Sequence, residues 1–253
     1  MSTRIAIVTG ASAGIGRAAA VRFAARGYRL VLNARDKDAL AAVADELATS
    51  GCELTAIAGD AAEPEVLDRL ISVCRERFGG PPSIGMANAG GGLPGTLLTS
   101  DPARWEDLFR VNVLGALRQM RAFAAAMLPI AETSPLKQAF DIVVTGSTVG
   151  TNVSPFNTVY GASKFAVHGA AEGLRREVGP IGIRVSLIEP GIVATNFQSA
   201  AGYDADWFSC YAEEVGPVLD PDDVARAIEF ITDQPPYAHL SSVVLRPTRQ
   251  PYP

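Results

Sequence analysis

Histidine occurs twice in the chain and cysteine three times, and neither falls into a metal-ligand spacing, so no zinc or other transition-metal centre is expected. Cys52, Cys74 and Cys210 are odd in number and offer no disulfide framework, which points to a reducing cytoplasmic compartment. No apolar run approaches the ~20 residues of a membrane span. Met1-Ser2-Thr3-Arg4 leads into four apolar residues, Ile5 to Val8, too few for the core of a signal peptide. Positive charge is thin as well: the net charge is −5 and the Lys and Arg residues are scattered, so no basic stripe invites nucleic acid or an anionic membrane. What the chain does have is 48% hydrophobic content in 253 residues, enough for one large α/β domain over 1–253. A soluble, cytoplasmic protein acting on a small molecule is the expectation.

The apolar run Ile5-Ala6-Ile7-Val8 predicts a buried strand, and Thr9-Gly10-Ala11-Ser12-Ala13-Gly14-Ile15-Gly16 follows it directly. A helix is expected over about 15–26, closed by Gly27. Gly10 permits the sharp exit from the strand, Gly14 lets backbone approach a pyrophosphate, and Gly16 lets helix and sheet pack closely. Free amides at the helix start complete an anion site in which Ser12, Ala13 and Ile15 share. A glycine-rich turn is weak evidence alone; between a strand and a helix it predicts a dinucleotide phosphate site.

A second strand over 28–33 runs into Asn33-Ala34-Arg35-Asp36, the segment that should meet the adenosine ribose. An NAD site usually offers a carboxylate there, whereas a 2′-phosphate needs a cation. Ala34 stands where the carboxylate would be and Arg35 comes next, so NADP(H) is favoured over NAD(H). The alternative is a solvated Arg35 with Asp36 turned in to the ribose. Further helices over 37–49 and 64–78 alternate with strands over 53–58 and 83–87. Asp60, followed by Ala61, reaches the adenine end, and Asn88-Ala89-Gly90 leads into a glycine run beside the nicotinamide ribose. This rhythm builds a Rossmann-type, doubly wound, seven-stranded parallel sheet with helices on both faces. A helix over 101–128 carries Asn112 in its middle, where an asparagine either decorates the core or marks a backbone distortion or bound water.

Chemistry concentrates in residues 145–164. A buried strand over 141–147 ends on Ser147, at the carboxyl end of the sheet where ligands bind. Tyr160 and Lys164 are four apart, so a helix stacks them on one face. Exchanging a proton near neutrality requires the tyrosine anion to be favoured by roughly 3 units, about 4 kcal/mol, and one ammonium about 5 Å away at an effective dielectric of about 20 contributes roughly 3 kcal/mol. The competing reading is a packed ring beside a snorkelling amine.

Taken in this order, TGASAGIG, Asn88-Ala89-Gly90, Asn112, Ser147 and Tyr160-Gly161-Ala162-Ser163-Lys164 make the chain resemble the short-chain dehydrogenase/reductase family over about 5–245, with Ser147 standing 13 residues before Tyr160 as is common there. The resemblance implies a Ser–Tyr–Lys–Asn tetrad. Tyr160 would exchange the proton, Ser147 hold the carbonyl oxygen, Lys164 lower the tyrosine pKa and grip the nicotinamide ribose, and Asn112 hold a water that links Lys164 to solvent. It also implies that Pro190, Gly191 and Val193 meet the nicotinamide carboxamide, that Thr195 reaches the amide or pyrophosphate, and that the protein is a homodimer or homotetramer. One departure stands out: Ala13 occupies the place where many NADP-preferring relatives carry a basic residue. That leaves the cofactor choice to Arg35, with Arg17 as a helper.

Residues 196–216 are expected to form a mobile lid bearing Phe197, Tyr203, Trp207, Phe208 and Tyr211. Of these Phe197, Tyr203 and Trp207 join Ser147, Val149 and Tyr160 as expected substrate contacts, although the lid aromatics can equally pack among themselves. Neither 185–225 nor 90–103 nor 148–161 contains a lysine or arginine. A buried anion would be unpaired there, which points to a neutral, moderately apolar alcohol or ketone. Two alternatives stay open. Residues 243–249, VVLRPTR, resemble the C-terminal strand of family members that oxidise hydroxy acids, and a dinucleotide-sensing protein without turnover is the non-enzymatic reading. His168, Cys210 and His239 are expected to have packing or surface roles.

Overall fold

The computed structural model describes residues 3–133 and 135–251, without the side chain of Trp207. Seven strands and nine α-helices alternate among the described residues: β1 (Ile5–Thr9), α1 (Gly14–Ala25), β2 (Arg29–Ala34), α2 (Lys37–Thr49), β3 (Leu54–Ala58), α3 (Pro64–Phe78), β4 (Ile84–Ala87), α4 (Trp105–Phe109), α5 (Ala116–Thr133), β5 (Phe140–Thr145), α6 (Thr158–Val178), β6 (Ile183–Pro190), α7 (Phe197–Ala201), α8 (Ala205–Val215), α9 (Pro221–Thr232) and β7 (Ser242–Leu245). The strands form one parallel sheet in the order β3-β2-β1-β4-β5-β6-β7, the Rossmann-like arrangement expected from the sequence. The order reverses between β1 and β4, and such a switch opens a crevice at the carboxyl ends of the strands.

Every residue of β1 and of β6 is buried, as strands covered on both faces should be, although β6 carries the polar Arg184, Ser186 and Glu189. On one face Leu70 and Cys74 of α3, Phe123 and Met127 of α5, and Val167 of α6 pack against the sheet. The other face is covered by Phe23 of α1, Leu40 and Val43 of α2, and Val224 and Ile228 of α9. At the amino ends of the strands, Asp141 is fully buried between Arg184, at 2.7 Å, and Arg4. That shared ion pair ties β1, β5 and β6 together on the side opposite the crevice.

Local chemistry sets the element ends. The Asp36 carboxylate caps α2 by accepting from the amides of Asp38 and Ala39, and Asp220 with Asp223 forms a capping box on α9. The helix expected over 101–128 is instead a composite. Asp101 caps a short 3-10 turn, α4 follows, and residues Arg110–Gly115 form a π-helical turn before α5 begins. Asn112 lies in that turn, so its polar side chain does mark a distortion. α5 then continues to Thr133 through Pro129, because Met127 and Ala131 on either side of it are buried against the sheet.

Candidate active site

A cavity of about 810 Å³ opens along the carboxyl ends of the strands. Its floor at one end is the β1–α1 turn. Gly10 and Gly14 both have positive φ, +64° and +53°, a conformation that disfavours side chains. A Cβ on Gly16 would stand 2.2 Å from the Gly10 carbonyl oxygen, so Gly16 holds helix to turn and does not itself line the cavity. Ala13 at the start of α1 provides no side-chain cap, which leaves the first amides of that helix facing the cavity floor formed by Ser12, Ala13, Gly14 and Ile15.

Ala34, Arg35, Asp60 and Ala61 form the next part of the wall. Arg35 is exposed, and its guanidinium makes no hydrogen bond or ion pair to a described residue. Asp36, which also lines the cavity, is engaged as the α2 cap through Oδ1. Arg17, expected as a helper, is paired with Glu46 at 2.6 Å and points elsewhere. Burial works against ionised Asp60, yet the Ala62 amide, Arg110 at 2.9 Å and Arg35 together hold its pKa below the ordinary carboxylate value. Asn33, in the same wall, has its Oδ1 buried without a partner.

Asn88 knits the middle of the crevice. Its Nδ2 donates to the Thr9 carbonyl at 3.0 Å, its amide donates to the Thr9 hydroxyl, and its Oδ1 accepts from the Thr145 hydroxyl at 3.0 Å. The ends of β1, β4 and β5 therefore meet on one side chain. Ala89 and Gly90 continue the wall. Lys164 of α6 donates from Nζ to the Thr145 carbonyl at 2.8 Å.

Tyr160 and Lys164 do share a face of α6: both are 8% exposed, both line the cavity, and Nζ lies 5.8 Å from the tyrosine ring centroid. The electrostatics run against the expected direction. Burial pushes the Tyr160 pKa up, Tyr203 adds to this, and the Ser147 hydroxyl works the other way. Desolvation of the phenolate is the largest cause, and the amine is desolvated too: burial brings the Lys164 pKa down to about 8. Near neutrality the pair is therefore a protonated phenol beside a largely charged amine.

Ser147 lies two residues beyond the end of β5, not within the strand, and its hydroxyl accepts from the Val149 amide at 3.4 Å. Asn112 does not line the cavity. Its Oδ1 accepts from the Gly91 amide and its Nδ2 donates to the Gly91 carbonyl, both at 2.8 Å, and to Ser163 Oγ at 3.1 Å. Ser163 Oγ in turn donates to the Tyr160 carbonyl at 2.6 Å. The Asn112 amide thus clamps the glycine run to the helix carrying Tyr160, with both its hydrogens engaged, rather than facing Lys164.

On the far side, Pro190, Gly191, Val193 and Thr195 line the cavity as expected. The Thr195 hydroxyl accepts from the Phe197 amide at 3.1 Å. Helices α7 and α8 occupy the segment expected as a lid, and residues of both line the cavity. Phe197 tilts against Tyr160 with 5.7 Å between centroids, Val149 is buried beside it, and Tyr203, Phe208 and Tyr211 join the wall. The Trp207 contact lies outside the described side chains.

Three wall residues, and a fourth that stands behind the wall, were missed in the sequence. Arg104 contradicts the expectation of a cavity without a cation: it sits one residue past the segment searched, lines the cavity, and donates to the Ala201 carbonyl of α7 at 3.1 Å. Asn157, three residues before Tyr160, donates from Nδ2 to the Tyr203 hydroxyl at 3.3 Å while its Oδ1 is buried without a partner. Gln250, brought back by the C-terminal segment, accepts from the Ile192 amide at 3.0 Å. His168, expected to be packing, accepts the Ser147 amide hydrogen on Nε2 at 3.2 Å. The only sequence signal for His168 was its place one turn after Lys164.

No helix among the described residues is long and apolar enough to cross a membrane, and no group of three or more His, Cys, Asp or Glu among them is placed to hold a metal ion. The family model described as short chain dehydrogenase matches residues 4–205. An oxidoreductase of Staphylococcus saprophyticus is 32% identical over 249 residues, covering 98% of both chains. A glycine betaine reductase of Emericella nidulans is 31% identical over 252 residues, but the chain spans 19% of that longer protein. Among solved structures, an alcohol dehydrogenase from the archaeon Thermococcus sibiricus, complexed with 5-hydroxy-NADP, superposes with a TM-score of 0.83 at 28% identity over 98% of both chains. A short-chain dehydrogenase/reductase from Burkholderia phymatum in complex with NAD gives a TM-score of 0.83 at 29% identity, over 96% of this chain and 89% of that one. With its fold, its crevice and its relatives in agreement, the chain belongs to the short-chain dehydrogenases, oxidoreductases that use a nicotinamide cofactor.

Proposed function

We propose that the protein is an NADP(H)-dependent carbonyl reductase or alcohol dehydrogenase acting on a neutral, moderately apolar ketone or alcohol. The observation that carries this reading is the pairing, in one cavity, of an uncommitted Arg35 at the phosphate end with Tyr160 and Ser147 at the other. The cavity suits a dinucleotide by its own features: positive-φ glycines where a side chain would intrude, uncapped helix amides, and the orphaned Asn33 Oδ1. The α1 amides would hold the pyrophosphate, Arg35 the 2′-phosphate, Asp60 the adenine, and Lys164 the nicotinamide ribose, with Asn88, Gly90, Pro190, Gly191, Val193 and Thr195 around the nicotinamide.

Held by these residues, a reduced nicotinamide would supply the hydride that the carbonyl carbon needs. Tyr160 supplies the proton: its raised pKa keeps the phenol protonated at neutrality, the form a reduction consumes. Ser147 hydrogen-bonds the carbonyl oxygen as negative charge develops there. Lys164, mostly charged below about pH 8, offsets the phenolate that remains. Asn112 acts on this group through Gly91 and Ser163. Phe197 and Val149 give the substrate end an apolar wall, and Asn157 with Tyr203 adds one neutral polar patch.

Arg104 supports a second reading, oxidation of a hydroxy acid, in which its guanidinium leaves the Ala201 carbonyl for a substrate carboxylate. The test is fluorescence titration with NADPH and NADH, followed by a panel of neutral and acidic ketones. Tighter NADPH binding and turnover of neutral ketones are expected, and Arg35→Ala should weaken NADPH at least about tenfold more than NADH. Equal losses would overturn the cofactor choice, and preference for the acidic ketones would favour the second reading.

A further inference from the structure

One buried titratable side chain in contact with the site has no part in the proton transfer itself. His168 lies one turn beyond Lys164 on α6, with its side chain 9% exposed. Its ring fills the space above two glycines: a Cβ on Gly146 or on Gly150 would stand 2.4 or 2.3 Å from ring atoms. Those glycines flank Ser147 and the turn that follows it, so the imidazole packs against the backbone that carries the hydroxyl. Its Nε2 accepts the Ser147 amide hydrogen at 3.2 Å.

A ring nitrogen that accepts carries no hydrogen, so the hydrogen of the neutral ring sits on Nδ1. Nδ1 is buried with no hydrogen-bond partner, and Glu189 Oε2 of β6 is 3.8 Å away. That is long for a hydrogen bond but close enough for a carboxylate to favour an N–H pointed at it. Glu189 is itself 2% exposed and is fixed by hydroxyls from two other segments, Ser242 of β7 at 2.5 Å and Thr151 at 3.4 Å. A cavity of about 220 Å³ borders this cluster and is lined in part by His168, Glu189, Thr151 and Ser242. Burial, with Lys164 adding to it, lowers the His168 pKa to about 4, so the ring stays neutral and able to accept across the physiological range.

We propose that His168 is a positioning residue: braced by Glu189, its neutral imidazole takes the Ser147 amide hydrogen and so fixes the Ser147 hydroxyl against Tyr160. The proposal rests on the carbonyl-reductase reading above. It assigns work to two residues, His168 and Glu189, that touch neither substrate nor cofactor. A glutamine carries its carbonyl oxygen at the distance of Nε2 and can replace the acceptor, whereas phenylalanine keeps the ring and loses it.

Steady-state kinetics of wild type, His168→Gln and His168→Phe on a ketone the wild type reduces test the idea, alongside nitrogen-15 NMR of the histidines in the wild-type protein. His168→Phe should lower kcat about ten- to hundredfold while leaving the KM for NADPH within about twofold, and His168→Gln should recover most of the loss. The neutral Nδ1–H tautomer should appear for His168. A Phe variant with wild-type kcat, equal losses in Phe and Gln, or an Nε2–H tautomer would overturn the proposal. If the wild type binds NADPH yet reduces no carbonyl in the panel, the underlying functional reading fails and the proposal falls with it. The NMR result does not depend on any variant folding.

Discussion

Replacing Lys164 by methionine should abolish turnover without unfolding the protein, and the stability difference between the two should reverse with pH. The amine is buried, and its pKa falls from 10.5 to about 8 on folding. A shift of that size corresponds to about 3 kcal/mol by which the fold disfavours the charged amine. The offset is the hydrogen bond from Nζ to the Thr145 carbonyl at 2.8 Å, whose loss leaves a buried acceptor unpaired at a cost of about 1–3 kcal/mol. Near neutral pH the variant should therefore be as stable as wild type or up to about 2 kcal/mol more so.

The sign of the pH dependence follows from proton counts. Between about 8 and 10.5 the unfolded chain holds the lysine proton and the folded chain does not, so wild-type stability gains on the variant as pH rises through that window. The whole gain is about 3 kcal/mol, which turns parity or a deficit into an advantage. Urea denaturation of both proteins at several pH values measures it directly, and the tyrosines and cysteines that titrate nearby largely cancel in the difference. A stability difference that stays flat across the window, or moves the other way, would refute the assignment of a desolvated, charged amine at this position.

Other perturbations probe other parts of the crevice. Tyr160→Phe should abolish turnover while NADPH still binds in a fluorescence titration; measurable ketone reduction by the variant would remove the phenol from proton transfer. Gly16→Ala places a Cβ 2.2 Å from the Gly10 carbonyl oxygen and should cost at least about 2 kcal/mol in urea denaturation. A loss below about 0.5 kcal/mol would mean that the α1 turn is looser than the structure indicates. Asp36→Ala removes the α2 cap and should cost about 1 kcal/mol without changing NADH affinity, and a selective loss of NADH binding would restore the carboxylate–ribose alternative.

Much of the fold was readable because local signals agreed with global packing. α3 was bounded by Pro64 at its start and Gly79 at its end, and α2 by Gly51 after its end, while the Asp36 cap at its start went unread. β1 was visible as a short apolar run in front of a glycine turn. The composite helix was not readable: the π turn arises because Asn112 reaches Gly91 and Ser163, partners 21 and 51 residues distant in the chain. The helix was expected to end near residue 128, whereas α5 runs on through Pro129 to Thr133, and the burial of Met127 and Ala131 that carries it on is tertiary. Tyr160, Lys164 and Ser147 could be assembled from spacing. The direction of the Tyr160 shift could not, because it depends on how completely the ring is buried. Arg104, Asn157, Gln250 and His168 reach the site only through folding. Only nearness in the chain, to Tyr160 for Asn157 and to Lys164 for His168, hinted at two of them.

The Asn88 side chain has a mechanical consequence. One of its ends grips the turn that would seat the pyrophosphate, and the other grips Thr145, whose carbonyl receives the Lys164 ammonium. The two halves of the crevice thus share a single amide as their joint, so a displacement of the glycine turn would be felt at the amine across three strand tips.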